Sequence, residues 1–437
     1  MLAAETSVAA QRQHDGATPT SKLDFSKKTR RPRRLGRYET ALRSFRRLRS
    51  LTPEKVSSFM DSYIIYDLDW ADEKAMIQTL GPDYQHRVGE CLQNYYGVLN
   101  HLCAIGELEK MYIPPAMDLD ASILMNQILY EETIAEELHL PPNAKVLDLG
   151  CGRGRVAAHM SSMSGAQVTG LNIDEDQIAS AIDFNKQKRF NNDFVRADFN
   201  DLPLPLEDCQ YDAFYQIQAF SLCKDIPALC KELYRVLKPG ARLSLLDWAS
   251  LDAYDPEDPY HQKLMRAIKP LIGAVGTPTP QSMIDALESA GFRMIRHDNA
   301  SIDDLQAPLI ERADGYFRTT RFAILSLVRI GLLPTHFRTL FNRMTQDCDA
   351  FIEADRARLI TTSYHWLAEK PVEGGLEPKT ESPASSDTAV NTEVASGGTS
   401  KEASTSSSKQ SGKAVPALTS PDSQPAVSPA GEVPASG

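Results

Sequence analysis

The sequence predicts an α/β fold: a seven-stranded, doubly wound sheet of the Rossmann type, with an N-terminal helical cap and a C-terminal helical insert. Two observations carry this prediction. From residue 145 onward, short apolar runs alternate with longer segments of helical periodicity, which is typical of a parallel sheet covered by helices. The first apolar run ends in a glycine-rich stretch at 150–154, as expected where a buried strand turns sharply into a helix.

The individual elements follow from the change between period two and period 3.6 along the chain. The predicted strands lie at 145–149, 167–172, 193–197, 211–217, 241–248, 292–298 and 359–367. The predicted helices between them lie at 154–163, 174–189, 225–237 and 280–290. The helical insert is expected at 305–356, immediately before the last strand.

Composition divides the chain into four parts. Residues 1–37 are polar and basic, and residues 372–437 are rich in Ser, Thr, Ala, Pro and Gly, so both are predicted to be disordered. Between them we predict a helical cap region at 38–140 and the sheet domain, with its insert, at 141–371. A basic amphipathic helix at 38–51 would either lie on an anionic membrane surface or pack on the domain with its arginines in water, and the second interpretation is the simpler one.

Charge and cysteine content narrow the class of protein. The formal net charge of -11 argues against a nucleic-acid enzyme, because phosphate binding needs a basic surface. The 7 cysteines form no C-x-x-C pair and no metal-like Cys/His cluster, so we expect free thiols, no metal and a reducing compartment. No stretch approaches the ~20 apolar residues that span a bilayer. We therefore expect a cytoplasmic protein, with peripheral contact to the endoplasmic reticulum membrane as the alternative.

The most informative motif is the stretch 146–154, in which an apolar run ends in an acid and glycines follow at alternate positions. A dinucleotide fingerprint would read G-x-G-x-x-G. Here the acid comes first, a pattern that resembles the class I S-adenosylmethionine-dependent methyltransferases. The resemblance implies that bare backbone approaches the cofactor and that the acid suits its ammonium group. The alternative is an ordinary glycine-rich turn. The cofactor-binding candidates in this motif are Asp148, Gly150, Cys151, Gly152 and Gly154.

Polar and aromatic residues follow the next strands. Ligands of open α/β sheets bind outside the carboxyl ends of the strands, so these residues are candidates for the same cofactor. Asn172, after the second strand, and Gln177, in the next helix, suit the ribose hydroxyls. After the third strand, Asp198 suits the adenine amino group and Phe199 lies beside its ring. The candidates that would face the reacting methyl group after the fourth strand are Gln216 and Gln218.

The chain also resembles the sterol 24-C-methyltransferases, over roughly residues 90–371. The segments that carry this resemblance are Gly170–Asn172 with Gln177–Ala179, Leu233–Gly240, and Asp247–Trp248 followed by Tyr254–Asp255. Tyr95 and Tyr96 stand where that family has paired tyrosines, which implies that they close over the cofactor. The resemblance also implies an antiparallel last strand and a substrate-side role for the insert.

Two departures from that family concern the substrate. The family's Tyr-Glu-Tyr-Gly-Trp-Gly motif falls on residues 103–108, where only Gly106 is kept. Its Ile-Glu-Ala-Thr-Cys-His motif falls on residues 217–222, which lose both the acid and the imidazole. Methylation of an alkene forms a carbocation that aromatic faces and a carboxylate stabilise, and a base must then remove a proton. The cofactor residues are therefore carried over to this chain, and the sterol substrate is not.

The leading hypothesis is transfer of a methyl group from S-adenosylmethionine to a bulky apolar small molecule, a terpenoid, steroid-like or polyketide-like product of secondary metabolism. The acceptor would lie between residues 90–125 and the insert. The alternatives are a sterol 24-C-methyltransferase whose substrate motif has drifted, and a non-catalytic regulator that binds S-adenosylmethionine. The catalytic candidates are Gln218 and His101, with His261 and Asp247 as further bases. The insert residues that would line the acceptor pocket, or else form core, are Tyr316, Phe317, Phe322, Leu325 and Leu333.

Overall fold

The computed structural model describes residues 51–106 and 110–372, without the side chains of residues 100, 101, 103–106, 313, 316 and 317. The predicted disordered termini, apart from residue 372, and the basic helix at 38–51, apart from its last residue, lie outside the described residues. The predicted domain limits at 140 and 371 fall in the turn before the first strand and just after the last one. The division into domains stays a prediction.

One sheet organises the described part of the chain. Its strands are β1 (Lys145–Leu149), β2 (Gln167–Asn172), β3 (Asp193–Arg196), β4 (Tyr211–Ile217), β5 (Leu237–Ser250), β6 (Arg293–Asn299) and β7 (Ile360–Glu369). They are arranged in the order β3-β2-β1-β4-β5-β7-β6. β1 pairs in parallel with β2 and β4, whereas β7 is antiparallel to both β5 and β6. The seven-stranded doubly wound sheet and the antiparallel last strand are confirmed.

Helices precede, cover and extend this sheet. Those before β1 are α1 (Pro53–Asp61), α2 (Glu73–Leu80), α3 (Tyr84–Gly106) and α4 (Ile123–Glu137). Those between the strands are α5 (Arg155–Ser164), α6 (Glu175–Lys188), α7 (Ile226–Val236), α8 (Pro259–Ile272) and α9 (Pro280–Ser289). The insert between β6 and β7 consists of α10 (Ala307–Arg329), α11 (His336–Thr345) and α12 (Cys348–Arg356). None of the described helices has the length and apolar character needed to cross a membrane.

Four apolar clusters hold the described layers together, and three of them surround the site. One face of the sheet packs on α7 and α9, with Phe214 and Leu233 fully buried, and the other face packs on α4 and α5. The third cluster joins α1 and α3 to the insert through Phe59, Phe337 and Leu340, each fully buried. Truncating a buried Phe to Ala typically costs about 3–5 kcal/mol. The N-terminal helices and the insert are therefore fixed to each other above the sheet edge that carries the site.

Local sequence determines how the helices around the site begin. Gly154, in the left-handed region at φ 68°, is the N-cap of α5, so the chain turns from β1 into that helix within the glycine-rich stretch. The carboxylate of Asp174 caps α6 by accepting from the backbone N–H of Gln177 at 2.9 Å. This cap fixes the first turn of α6 beside the glycine-rich turn.

Candidate cofactor and substrate site

A cleft lies at the carboxyl ends of β1, β2, β3 and β4, and α3 and residues 110–112 cover its other side. This is the edge at which open α/β sheets bind ligands. The sequence-predicted residues that line it are Tyr96, Asp148, Gly150, Cys151, Gly152, Asn172, Gln177, Asp198, Phe199 and Gln218. The cleft brings together side chains from four strand ends, as the sequence predicts.

The glycine-rich turn brings bare backbone to the floor of the cleft. Gly150 has φ 78° and Gly152 has φ 53°, both in the left-handed region that favours glycine. A Cβ atom on Gly150 would lie 2.6 Å from the Cβ of Ala219, and one on Gly152 would lie 3.3 Å from the Oε1 of Gln177. Any side chain at these positions would therefore intrude on the cleft or on its wall.

Gly154 and Cys151 have different environments. Gly154 does not line the cleft, which corrects its predicted contact with the cofactor. A Cβ atom there would lie 2.8 Å from the ring of Phe194 and 2.9 Å from Ala181, so its glycine permits close packing of α5.

Cys151 lines the cleft, but burial raises the pKa of its thiol well above the usual range. A neutral thiol is a poor nucleophile, so the structure offers Cys151 as a lining residue of the cleft and not as a nucleophile.

Asp148 is a buried carboxyl group at the end of β1. Its Oδ2 accepts a hydrogen bond from the hydroxyl of Tyr215, directly opposite on β4, at 2.7 Å. Burial raises the pKa of Asp148 to about 7, and the Tyr215 hydrogen bond opposes part of that rise. A cation placed beside Asp148 would lower this pKa again, because it stabilises the charged form.

A second buried carboxylate, which the sequence does not predict, lies near Asp148. Glu131 in α4 is fully buried, and its charge contributes to the raised pKa of Asp148. It accepts from the Nζ of Lys110 and from the hydroxyl of Tyr112, both of which line the cleft, and it contacts the Nδ1 of His159. No local motif marks these residues, since they come together from three separate segments.

The ribose and adenine candidates line the opposite part of the cleft. The Oδ1 of Asn172 accepts from the backbone N–H of Asp174 at 2.8 Å, which fixes its side chain at the end of β2. Gln177 is buried, next to Gly152. Asp198 accepts from the backbone N–H of Asn200 at 2.9 Å, and burial raises its pKa. These positions agree with the prediction, and their contacts with the cofactor remain proposals.

The two adjacent tyrosines have different environments, and of the two only Tyr96 lines the cleft. Tyr96 lines the cleft, and burial raises its pKa to about 12, so its hydroxyl keeps its proton at neutral pH. Tyr95 points into the core instead, where it stacks on Phe59 and donates to the carbonyl of Pro270 at 2.8 Å. The two rings contact each other in a T-shaped arrangement, with centroids 5.3 Å apart, but of the two only Tyr96 lines the cleft. The predicted cofactor contact of Tyr95 is therefore corrected.

Gln216 does not line the cleft either. Side chains alternate along β4, and Tyr215 and Ile217 take the cleft side. Gln216 is fully buried and donates from Nε2 to Asp247 at 2.8 Å. Asp247 also accepts from the backbone N–H groups of Phe220 and Trp248, and it lies outside the lining of the cleft. Gln216 and Asp247 thus link the ends of β4 and β5 without lining the cleft.

Gln218 lines the cleft, but its amide is used differently from the prediction. Its Oε1 accepts from the backbone N–H of Ile113 at 3.0 Å, and its Nε2 donates to the carbonyls of Ile113 and Thr362 at 2.7 and 2.8 Å. Its backbone has φ 53°, an uncommon value for a residue other than glycine. The side chain thus holds Ile113 and Thr362 beside the end of β4, a contact that its predicted catalytic role does not include.

The remaining candidates lie elsewhere. The His101 side chain, like those of Tyr316 and Phe317, lies outside the described residues. His261, in α8, accepts from the backbone N–H of Asp255 and is not part of the cleft lining. The described insert residues do not line the cleft: Leu333 is core, Leu325 is half-buried, and Phe322 is 73% exposed.

Comparison with known proteins agrees with this geometry. A family model described as "Methyltransferase domain" matches residues 146–240. The cycloartenol-C-24-methyltransferase of Arabidopsis thaliana is 30% identical over 256 residues, which cover 55% of this chain and 76% of that protein. Squalene methyltransferase 1 of Botryococcus braunii is 30% identical over 259 residues, which cover 56% of this chain and 67% of that protein.

Solved structures share the fold at lower identity. The [4+2]-cyclase SpnF superposes with a TM-score of 0.52 at 20% identity, covering 65% of this chain and 96% of that one. The Mycobacterium tuberculosis cyclopropane synthase MmaA2 superposes with a TM-score of 0.51 at 15% identity, covering 60% and 90%.

The sheet order, the glycine-rich turn and these matches define a class I S-adenosylmethionine-dependent methyltransferase. Within that class, the chain belongs to the sterol 24-C-methyltransferase family. S-adenosylmethionine is accordingly its cofactor.

Proposed function

We propose that the protein transfers a methyl group from S-adenosylmethionine to a bulky apolar small molecule, a terpenoid, steroid-like or polyketide-like metabolite. The observation that supports this most is the apolar wall of the cleft. The residues of that wall are Leu92, Tyr96, Met111, Ile217 and Leu222. This wall adjoins the glycine-rich turn, so an apolar acceptor bound there would meet the cofactor away from water.

The cleft fits the cofactor that the family uses. The bare backbone at Gly152 leaves space that a Cβ atom would fill, and Asp148 offers a buried carboxylate for an ammonium group. We propose that Asn172 and Gln177 hold the ribose and that Asp198 and Phe199 hold the adenine. Bound there, the cofactor supplies an electrophilic methyl group. The protein contributes by orienting the acceptor in line with that group and by excluding water.

A true sterol 24-C-methyltransferase is the alternative, and the Arabidopsis thaliana relative supports it. Two features of the cleft disfavour it. Among the described lining residues, the carboxylates are Asp148 and Asp198, both on the cofactor side. The amide of Gln218 occupies the position of the family's acid, and backbone groups saturate it. Turnover of a Δ24-sterol with methyl-labelled cofactor, giving a C-24 methyl product, would establish this alternative.

A non-catalytic regulator is the second alternative. It predicts that the protein binds S-adenosylmethionine but transfers no methyl group to any member of a broad panel of apolar metabolites. The continuous apolar wall beside the glycine-rich turn supports an enzyme instead, since a regulator needs no acceptor surface there.

The experiment that tests the proposal compares apolar metabolites from cells with and without the gene. We expect the active gene to convert one metabolite into a product that is heavier by one methylene. Cells that carry Gly152→Val provide the control, because the added side chain fills the cofactor cleft. A product that also forms with Gly152→Val, or a panel without any product, would contradict the proposal.

We further propose a cytoplasmic protein that contacts an anionic membrane surface through the basic segment 38–51. The segment joins the described part of the chain at Leu51, whose carbonyl lies 3.1 Å from the Nε2 of His336 in α11. Shortly before α11, Ile330 and Leu332 are 67% and 53% exposed. Exposed apolar residues close in the chain to the helix on which the basic segment's last residue rests suit the interface of a bilayer.

Sedimentation with lipid vesicles tests this contact. The wild-type protein should bind vesicles that contain phosphatidylserine, and a variant with Arg43, Arg46, Arg47 and Arg49 changed to Glu should not. A variant with Ile330→Ser and Leu332→Ser should bind more weakly. Equal sedimentation of all three proteins would refute the contact.

A further inference from the structure

Lys110 is a nearly buried cation in the wall of the cofactor cleft. Its side chain is 8% exposed, and its Nζ lies 2.7 and 2.5 Å from the two oxygens of Glu131. An ammonium group has three N–H donors, so the two carboxylate oxygens leave one donor for a ligand. Burying such a pair contributes little to stability, because desolvation offsets the attraction between the charges. Its position in the cleft therefore calls for a functional explanation.

Glu131 is held rigidly, and it holds Lys110 in turn. The hydroxyl of Tyr112 donates to its Oε1 at 2.7 Å, and the Nδ1 of His159 lies 2.5 Å from its Oε2. Glu131 lies in α4, and these partners come from the segment after residue 109 and from α5. A lysine ordinarily loses much rotamer freedom when it binds a ligand. Here that freedom is already lost in the folded protein, which is the arrangement expected of a preorganised site.

The charges at this end of the cleft match a zwitterion. Asp148 presents a carboxylate, and Lys110 presents an ammonium group within contact distance of Glu131, whose charge is close enough to act on Asp148. The amino-acid end of S-adenosylmethionine carries one ammonium and one carboxylate. We propose that Lys110 binds the carboxylate of that end of the cofactor, while Asp148 faces its ammonium. This inference rests on the proposed placement of the cofactor in this cleft.

Among the described residues, two other cations line the cleft, and each of them contacts α6. The Nε of Arg153 donates to the hydroxyl of Ser180 at 3.4 Å. The guanidinium of Arg155 lies 3.7 Å from the ring centroid of Phe184, and it donates to the carbonyl of Arg153. Lys110 is instead joined to Glu131, whose charge acts on Asp148. Arg153 therefore serves as a matched control, as a cleft-lining cation that should not bind the carboxylate.

Calorimetry with two ligands tests whether Lys110, and not Arg153, binds the carboxylate of the cofactor. S-adenosylmethionine and its decarboxylated form differ by the carboxylate alone. The wild-type protein should bind the first about tenfold to a hundredfold more tightly, the range expected for a hydrogen bond between charged groups. Lys110→Met should remove most of this preference while leaving the affinity for the decarboxylated ligand nearly unchanged. Arg153→Met should keep the preference, and Lys110→Arg should keep part of it.

The outcomes distinguish this inference from the function on which it rests. Equal affinity of the wild-type protein for the two ligands would overturn the role of Lys110, and so would an undiminished preference in Lys110→Met. Failure of the wild-type protein to bind either ligand would contradict the placement of the cofactor itself. If Lys110→Met does not fold, the wild-type comparison and the Lys110→Arg variant still decide the matter.

Discussion

The buried carboxyl group of Asp148 should make the protein less stable at the pH values at which it binds its cofactor best. Burial raises its pKa from an ordinary value of 3.8 to about 7. Between these values the folded protein holds a proton that the unfolded chain has released, so the free energy of unfolding falls as the pH rises. The difference is about three pH units, which at about 1.4 kcal/mol per unit amounts to about 4 kcal/mol at pH 8.

Asp148→Asn tests this trade between stability and binding. The amide keeps the shape of the side chain and still accepts from Tyr215. We expect the variant to exceed the wild-type protein in free energy of unfolding at pH 8, by up to about 4 kcal/mol. The difference should shrink as the pH falls and vanish near pH 4, where both side chains are neutral. Urea unfolding at a series of pH values measures it. At pH 8 the variant should bind S-adenosylmethionine at least tenfold more weakly, because the ammonium loses its counter-charge.

Asp247→Asn is the matched control. Burial also raises the pKa of Asp247, to about 6, but each of its oxygens accepts a hydrogen bond from the backbone. An amide cannot accept at both positions, so Asp247→Asn should lower stability throughout the pH range. Parallel profiles of stability against pH for the wild-type protein and Asp148→Asn would refute the reasoning. Undiminished binding of the cofactor by Asp148→Asn would refute the role of the charge.

Three further predictions follow from the cleft. Gly152→Ala and Gly165→Ala both place a side chain at positive φ, so each variant should lose roughly 1–2 kcal/mol of stability. Only Gly152→Ala should weaken cofactor binding in calorimetry, because the space around Gly165 is open. Gln218→Glu removes two donated hydrogen bonds, so it should raise the KM for the cofactor more than it changes kcat. Urea unfolding should show a stability loss of about 1–3 kcal/mol. An unchanged KM would count against a positioning role for Gln218. The affinity for S-adenosylmethionine should rise about tenfold per pH unit up to about pH 7 and then level off, since the ammonium prefers ionised Asp148; a profile flat from pH 5 to 8 would contradict this.

The strands could be predicted from the sequence because their apolar runs are local signals. β4 occupies 211–217 and β1 occupies 145–149, as the alternation of apolar and polar residues predicts. Helix α8 was not predicted. Pro270 interrupts its apolar pattern shortly before the helix ends at Ile272. The helical insert was predicted, but not that its described side chains stay away from the cleft.

Side-chain directions within the site were harder to predict. A strand end identifies Gln218, but its partner Ile113 lies 105 residues away in the chain, so the sequence offers no sign of that contact. The same holds for Lys110 and Glu131, which no motif connects. Tyr95 was assigned to the cofactor by resemblance, whereas packing against Phe59 turns it into the core. Local pattern thus predicts which backbone segments surround the cofactor, and long-range packing decides which side chains reach it.

The most direct test of the account is a crystal structure of the protein with S-adenosylhomocysteine. We expect the adenine beside Asp198 and Phe199, and the amino-acid end between Asp148 and Lys110. The sulfur should face the apolar wall at Leu92 and Leu222. An amino-acid end bound away from the glycine-rich turn, or a sulfur that faces no apolar surface, would contradict the account.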